Sequence, residues 1–280
     1  MKRLSHQSAK PSHYNKEAES YDAFNEKNSE VINQTIETIL QNYNVKTVLD
    51  LTCGTGSQVF WLAQRGFTVI GSDINAKMLK IAKDKATRRR QGYGGQGENE
   101  KLDIQFIKGD MRTTQLGEFD AVITIFNTIG HLTKTDFEKA LQNVRNNLKK
   151  DGLYIFDIAN LNYFLQGKNI SDLTIDWITM SDDTQFRDIQ YSIIGTDGIL
   201  RLYTTSIVQK RALPDVTQGA QTGEKLKISK SVKTLQIYSA HQLKEMLTKH
   251  GFTVMEQCDI DGSKFIEDRT DRILTIAQKI

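Results

Sequence analysis

The chain has 280 residues, of which 38% are hydrophobic and 25% are charged. This composition is typical of a globular protein with one large domain or two small ones. The formal net charge of +3 is too small to predict nucleic-acid binding, which requires a clustered excess of Lys and Arg. The polar N-terminal segment and the absence of any apolar window near ~20 residues predict a cytoplasmic protein with no membrane span. Cys53 and Cys258 lie far apart and predict neither a disulfide framework nor a metal site.

Short apolar runs and helical patterns alternate along the first half of the chain. The runs are rich in Val, Ile and Phe, as strands buried on both faces are. They cover residues 47–51, 67–73, 103–110, 120–126 and 152–158. Helically spaced apolar residues between them predict a doubly wound α/β fold with a mostly parallel sheet.

One polar stretch interrupts this pattern. Arg88, Arg89 and Arg90 run into the glycine-rich sequence QGYGGQGENE. Glycine-rich polar backbone resists ordering, so we interpret the stretch as a solvated loop, with a phosphate-binding patch as the alternative. We expect residues 91–99 to be dispensable for ligand binding.

The sequence VLDLTCGTGSQVF, residues 48–60, places Gly54 and Gly56 directly after the first strand. Glycines there allow a tight turn and close approach of a ligand to the backbone, but the third glycine of the dinucleotide fingerprint is missing. Asp73 ends the second strand about twenty residues on, where a carboxylate can accept both hydroxyls of a ribose. Asp50 would repel a pyrophosphate but can orient an ammonium group. The pattern therefore predicts a ligand that carries both a ribose and an ammonium.

Four motifs in this region resemble those of the class I S-adenosylmethionine (SAM)-dependent methyltransferases. VLDLTCGTG, VIGSDINAKML, FIKGDMRT and FDAVITIFNTIGHL each lie at a strand end, and together they cover roughly residues 45–160. The resemblance implies that SAM is the cofactor and S-adenosylhomocysteine the product, and it assigns residues to each part of SAM. The methionine part is surrounded by Asp50, Thr52, Gly54 and Gly56, the ribose by Asp73, the adenine by Ile74, Met78, Asp110 and the Met111 amide, and the sulfonium end by Phe126, Asn127 and His131.

The stretch from Ile129 to Leu165 is also similar to the glycine and glycine/sarcosine N-methyltransferases and, more loosely, to amino-sugar N-methyltransferases. This narrower resemblance implies methylation of a small-molecule amine. The segment HYNKEAESYDAF resembles the tyrosine-bearing N-terminal segment of that group, so Tyr14 or Tyr21 would present a phenolic oxygen near the methyl group, with a simple packing role as the alternative. His131 would be a base or, as we prefer, a hydrogen-bond partner. A neutral amine acceptor needs no strong base.

After Leu165 the apolar residues alternate with a period of two, which predicts a β-rich insert over roughly residues 172–236. A helix near 240–251 and two further strands would complete a seven-stranded sheet. We therefore expect a SAM-binding core with an N-terminal cap (1–165), a substrate-binding lid insert (166–238) and a C-terminal part that returns to the core sheet (239–280). Pocket-facing insert residues, with Trp177 and Tyr191 as candidates, are expected to choose the acceptor.

Other functions on the same fold remain open. Methyltransferases that act on nucleic-acid bases usually carry an Asn/Asp-Pro-Pro-aromatic motif, whereas this chain has FNTIG there and only two prolines. A small-molecule O- or carboxyl methyltransferase and a SAM-binding protein without catalysis are the further alternatives, because the fold does not fix the acceptor. The expected partner is a small molecule, and a homo-oligomer is possible.

Overall fold

The computed structural model describes residues 5–15, 18–19, 21–90, 104–166, 175–181, 184–210 and 225–280. The predicted glycine-rich loop at 91–99 lies outside these residues. The helices are α1 (Tyr21–Asn42), α2 (Ser57–Ala63), α3 (Ala76–Arg90), α4 (Lys134–Asn146), α5 (Leu161–Leu165) and α6 (Ala240–Lys249), with a 3-10 helix at Thr128–His131. The strands are β1 (Thr47–Asp50), β2 (Thr68–Asp73), β3 (Gln105–Lys108), β4 (Phe119–Thr124), β5 (Leu148–Ala159), β6 (Ile175–Ser181), β7 (Thr184–Ile194), β8 (Ile199–Lys210), β9 (Lys225–Gln236), β10 (Phe252–Cys258) and β11 (Arg272–Lys279).

Seven strands form the central sheet in the order β10-β11-β5-β4-β1-β2-β3. Strands β1 to β5 are mutually parallel, while β11 is antiparallel to both β5 and β10. The strand order reverses between β1 and β4, and ligands bind at such a switch point in open α/β sheets. The predicted doubly wound, seven-stranded, mostly parallel sheet is confirmed. None of the helices in the described ranges has the length and apolar character needed to cross a membrane.

Helices cover both faces of the sheet. On one face, Ile32 and Ile36 of α1 pack with Val59 of α2 and Leu79 of α3. On the other face, apolar residues of α4 and α6 pack together, including Phe137, Leu141, Leu243 and Leu247. Most side chains of β1, β4 and the second half of β5 are buried, because helices cover both faces of the sheet there. The carboxyl ends of the strands are consequently left as the edge where polar side chains collect.

The predicted β-rich insert forms a second, antiparallel sheet with the order β6-β7-β8-β9. It joins the core at its base, where the buried Leu200 and the neighbouring Leu235 and Ile237 pack on the core cluster. The Tyr238 carbonyl accepts a hydrogen bond from the Leu161 amide at 2.9 Å. The insert therefore leaves the core after β5 and rejoins it just before α6. The domain boundaries at 165 and 238 stay a prediction.

The return into the core is fixed by a capping box at the start of α6. Ser239 Oγ accepts a hydrogen bond from the Gln242 amide at 3.2 Å, and Gln242 Oε1 accepts one from the Ser239 amide at 3.0 Å. Both hydrogen bonds satisfy amides that the helix itself leaves unpaired. Leu243 and Leu247, which follow on the inner face of α6, are fully buried. The cap thus sets where this buried face begins.

We expect Ser239→Ala to lower the free energy of unfolding by about 1 kcal/mol, because it removes the cap of a helix that packs on the core. Chemical denaturation measures the change. Ser231→Ala, in the exposed part of β9, is the matched control and should change the free energy by less than about 0.5 kcal/mol. Equal effects of the two substitutions would contradict a stabilising role of the cap.

Candidate functional site

A cleft with about 1020 Å³ of space, including the part open to solvent, lies beyond the carboxyl ends of β1, β2 and β4. Its size is at the upper end of the ~300–1,000 Å³ that small-molecule pockets occupy. Most of the residues that the sequence assigned to SAM or to catalysis line it: Tyr14, Tyr21, Thr52, Gly54, Asp73, Ile74, Met78, Asp110, Met111, Phe126 and His131. Asp50, Gly56 and Asn127 lie within two positions of these residues in sequence but are not part of the lining.

The turn after β1 uses both of its glycines in left-handed conformations. Gly54 has φ 53° and Gly56 has φ 92°. A Cβ at Gly56 would stand only 2.8 Å from the ring of Phe60 and 3.0 Å from that of Phe106. The backbone can therefore turn tightly into α2 over two packed aromatic rings, and the start of α2 is brought to the cleft.

Asp73 at the end of β2 holds this turn in place. Its Oδ2 accepts a hydrogen bond from the Gly54 amide at 2.8 Å, and its Oδ1 accepts one from the Asn75 amide at 2.7 Å. Asn75 Oδ1 in turn accepts from the amides of Lys77 and Met78 and so caps α3. Burial raises the pKa of Asp73. The carboxylate is fixed at the cleft edge, and each oxygen keeps a lone pair that a ribose hydroxyl can use.

Asp50 is 1% exposed and only half satisfied. Its Oδ1 accepts a hydrogen bond from the Thr52 amide at 3.0 Å, but its Oδ2 has no partner among the described residues, and neither has Thr52 Oγ1. Burial raises the pKa of Asp50 to about 8. A buried acceptor of this kind requires a donor, and an ammonium supplies one with the matching charge. These residues fit the methionine end of SAM.

The Asp110 carboxylate, which the resemblance assigned to adenine, is already hydrogen-bonded to another side chain. Both of its oxygens accept hydrogen bonds from the Arg112 guanidinium, the shortest at 2.6 Å. Burial raises the pKa of Asp110, but the hydrogen bonds and charge of Arg112 outweigh it and hold that pKa below its usual value. Arg112 also donates to Asp136 at the start of α4, at 2.7 Å. An adenine amino group would share this carboxylate with Arg112, a residue that the sequence analysis missed.

The N-terminal segment forms the wall of the cleft next to His131. The Ala9 amide donates to the His131 carbonyl at 2.8 Å, and Tyr14 Oη and His131 Nε2 share a hydrogen bond at 2.6 Å. The ring of Tyr21 stands edge-on to Tyr14, with 5.6 Å between centroids. Burial, followed by the charges of His13 and His6, lowers the pKa of His131 to about 3. Burial raises the pKa of Tyr21 to about 12, so both side chains are neutral near pH 7.

Asn127, which the resemblance placed at the sulfonium end, uses its side chain to join β5. Its Oδ1 accepts a hydrogen bond from the Ala159 amide at 2.6 Å. Phe126, the residue before it, does line the cleft. A direct contact of Asn127 with SAM stays a prediction.

The described strands of the insert contribute no residue to the cleft lining. Tyr191 stacks on Tyr203 with 4.9 Å between ring centroids and is 39% exposed, and the side chain of Trp177 lies outside the described part of the chain. The insert packs directly on the 3-10 helix that ends at His131. It also contacts the N-terminal segment, where Thr234 Oγ1 and His6 Nδ1 share a hydrogen bond at 2.8 Å. Its role in choosing the acceptor stays a prediction.

Comparison with known proteins agrees with this geometry. Residues 48–152 match the protein family described as "Methyltransferase domain". The chain carries a class I SAM-dependent methyltransferase domain. This domain spans the strands and turns that form the cleft, from β1 to the start of β5, and SAM is the cofactor of this class.

Three proteins illustrate the similarity. Glycine N-methyltransferase of Oryctolagus cuniculus is 32% identical over 183 residues, which cover 57% of this chain and 62% of the rabbit protein. The putative methyltransferase YqeM of Bacillus subtilis is 34% identical over 162 residues, covering 57% of this chain and 58% of that protein. The chain thus matches less than two thirds of the length of these relatives. A crystal structure of a SAM-dependent methyltransferase from Clostridium acetobutylicum shares the fold, with a TM-score of 0.69, 20% identity and coverage of 95% of this chain and 98% of that one.

We expect Asp73→Ala to weaken SAM binding about a hundredfold, because a carboxylate that accepts two ribose hydroxyls contributes on the order of 2–3 kcal/mol. Titration calorimetry measures the affinity, and circular dichroism checks that the variant is folded. Asp84→Ala is the matched control, since Asp84 lies on α3 and, within the described ranges, pairs with the exposed Lys80 alone. Unchanged affinity in a folded Asp73→Ala protein would refute the assignment.

SAM binding near pH 7 should release up to one proton from Asp50. The pKa of about 8 leaves this carboxyl mostly protonated in the free protein, whereas a bound ammonium favours the carboxylate and lowers its pKa. Affinity should therefore rise with pH up to about 8 and fall above it, where the α-ammonium of free SAM loses its own proton. Calorimetry in two buffers of different ionisation enthalpy counts the protons. The same proton release from Asp50→Asn would contradict the assignment to Asp50.

Proposed function

We propose that this protein transfers the methyl group of SAM to the amine nitrogen of a small-molecule acceptor. The observation that carries the proposal is the hydrogen bond between Tyr14 and His131 at the cleft, in a setting that keeps the imidazole uncharged. The resemblance to glycine N-methyltransferases in the matched region supports an amine over other acceptors.

A bound SAM supplies a methyl group already activated by the sulfonium, so the work left to the chain is alignment and exclusion of water. With the imidazole proton on Nδ1, the Tyr14 hydroxyl donates to His131 Nε2. The phenolic oxygen can then accept a hydrogen bond from an N–H of the acceptor. This hydrogen bond orients the amine and leaves its own lone pair free to attack.

The low pKa of His131 favours this orienting role over that of a base. An imidazole with a pKa of about 3 holds a proton weakly and would receive one from an ammonium only at a high cost. The acceptor would therefore bind as the neutral amine. Rates at saturating SAM should consequently rise with pH until the amine of the acceptor is deprotonated.

The described N-terminal segment forms part of the cleft wall, which favours a small molecule over a nucleic-acid duplex as the acceptor. The described N-terminal segment covers the face of the cleft on the side of His131, and Ser8 Oγ donates to Asp136 at 2.6 Å beside Arg112. An acceptor must therefore fit between this segment and Phe126. A small molecule fits such a space.

The acceptor can be found by incubating the protein with SAM and a library of primary and secondary amines, alcohols and carboxylic acids, followed by mass spectrometry for products one methyl heavier. We expect N-methylated products. Exclusive O-methylation of alcohols or carboxylates would contradict the proposal, and the absence of any product together with intact SAM binding would favour a non-catalytic binding protein.

With the acceptor in hand, Tyr14→Phe should lower kcat/KM by about 10- to 100-fold without changing SAM affinity, because it removes the oxygen that orients the amine. His131→Gln should have a similar effect. Tyr43→Phe is the matched control, since Tyr43 is 41% exposed and lies at the opposite edge of the sheet. Equal losses of SAM affinity and turnover would instead identify Tyr14 and His131 as cofactor ligands.

A further inference from the structure

The chain between β4 and the 3-10 helix contains two consecutive residues, neither of them glycine, in the left-handed conformation. Phe126 has φ 66° and Asn127 has φ 56°. This conformation costs about 1–2 kcal/mol for a residue such as Phe, while Asn tolerates it better. A turn of this kind persists only where its surroundings enforce it.

Asp157 of β5 supplies the restraint. Its side chain is fully buried, its Oδ1 accepts a hydrogen bond from the Phe126 amide at 2.6 Å, and its Oδ2 accepts one from the Asn127 amide at 3.2 Å. The left-handed backbone at these two residues turns both amides toward the same carboxylate. The two hydrogen bonds therefore favour the left-handed turn at these residues.

Arg272 of β11 supplies the charge that a buried carboxylate requires. Its Nη2 pairs with Asp157 Oδ2. The pairing follows from the sheet register, because Asp157 lies opposite Leu274 and Arg272 lies opposite Ala159, which makes the two side chains diagonal neighbours on one face. The guanidinium carbon of Arg272 also stands 5.6 Å from the centre of the Phe126 ring.

Neither Asp157 nor Arg272 lines the cleft, but the turn that they hold leads directly into it. Phe126 and Thr128 are lining residues, and the 3-10 helix that follows ends at His131. The direction that the backbone takes at residues 126 and 127 therefore sets where the Phe126 ring and the His131 imidazole stand.

We propose that Asp157 and Arg272 are positioning residues for methyl transfer, which hold the Phe126–Asn127 turn so that Phe126 and His131 face the reacting end of the cleft. The inference rests on the proposed function for its catalytic consequence. Its structural part, that the ion pair enforces the turn, stands apart from the identity of the acceptor.

The test compares Asp157→Asn with the double variant Asp157→Asn/Arg272→Met. The single variant leaves the Arg272 charge buried without a carboxylate and should melt at a lower temperature. The double variant removes that charge and should recover much of the melting temperature. In both variants the NH2 group of the introduced side chain replaces one carboxylate oxygen. Because NH2 cannot accept a hydrogen bond from a backbone amide, one of the two bonds to the turn is lost, and the turn should no longer be held.

We expect hydrogen exchange of the Phe126 and Asn127 amides to be at least about tenfold faster in the double variant, kcat to be at least about tenfold lower, and SAM affinity to change by less than about threefold. Recovery of amide protection and kcat together with the melting temperature would overturn the inference, because the pair would then serve stability alone. A parallel loss of SAM affinity and kcat would also overturn it. If no amine is methylated, the exchange measurement still decides whether the pair enforces the turn.

Two further comparisons keep the test decisive if the double variant does not fold. Asn127→Ala and Asn127→Gly both remove the hydrogen bond to Ala159, but only alanine is strained at φ 56°. Alanine should therefore lower kcat more than glycine, and equal effects would contradict the inference.

Asp120→Asn is the matched control. Asp120 also accepts two successive amides, from Lys46 and Thr47, and pairs with Lys149, but at the opposite edge of the sheet, so its loss should lower stability and leave kcat unchanged.

Discussion

Buried carboxylates at the ends of parallel strands must be hydrogen-bonded, and in this protein the loops of the cleft are built around that requirement. Asp73 accepts the amides of Gly54 and Asn75, and Asp157 accepts those of Phe126 and Asn127. Asp73 thereby links the end of β2 to the turn after β1 and to the turn that follows β2 itself. Asp157 links β5 to the turn after β4. The hydrogen bonds that these carboxylates require therefore fix the turns that form the cleft.

Asp50 is the exception that gives the cleft its chemistry. It is as buried as Asp157, yet one oxygen has no partner among the described residues, and burial raises its pKa to about 8. A protein that needed only stability would fill this position with an apolar residue or pair the oxygen internally. The unsatisfied oxygen belongs to a residue two positions before Thr52, which lines the cleft, and the proposed ammonium of SAM would supply the missing donor. The free energy that the unpaired Asp50 oxygen costs the free protein would then be recovered when SAM binds.

The sequence predicted the central sheet well because its signals are local. Runs of apolar residues identify strands buried on both faces, and Gly54, Gly56 and Asp73 follow directly from turn and strand-end positions. Asp157 was visible as a charge inside the run YIFDI, but its partner Arg272 lies on a strand that is distant in sequence and antiparallel, so the pair could be read only from the register. The same holds for Arg112, whose position two residues after Asp110 gave no indication that it also reaches Asp136 on α4. Hydrogen bonds between distant segments leave no periodic pattern.

The two ends of the cleft are consequently built in different ways. The SAM end comes from adjacent βα units of one sheet, whereas the end near His131 is assembled from the N-terminal segment, the 3-10 helix and the base of the insert. His6 joins all three, because one ring nitrogen bonds to Thr234 of β9 and the other to the carbonyl of Leu132, directly after His131. Such partly exposed hydrogen bonds contribute about 0.5–1.5 kcal/mol each, far less than the packed sheet. Strand β9 also packs directly on the 3-10 helix, so we expect changes in β9 to reach Tyr14 and His131 by both routes while leaving the Asp73 turn as it is.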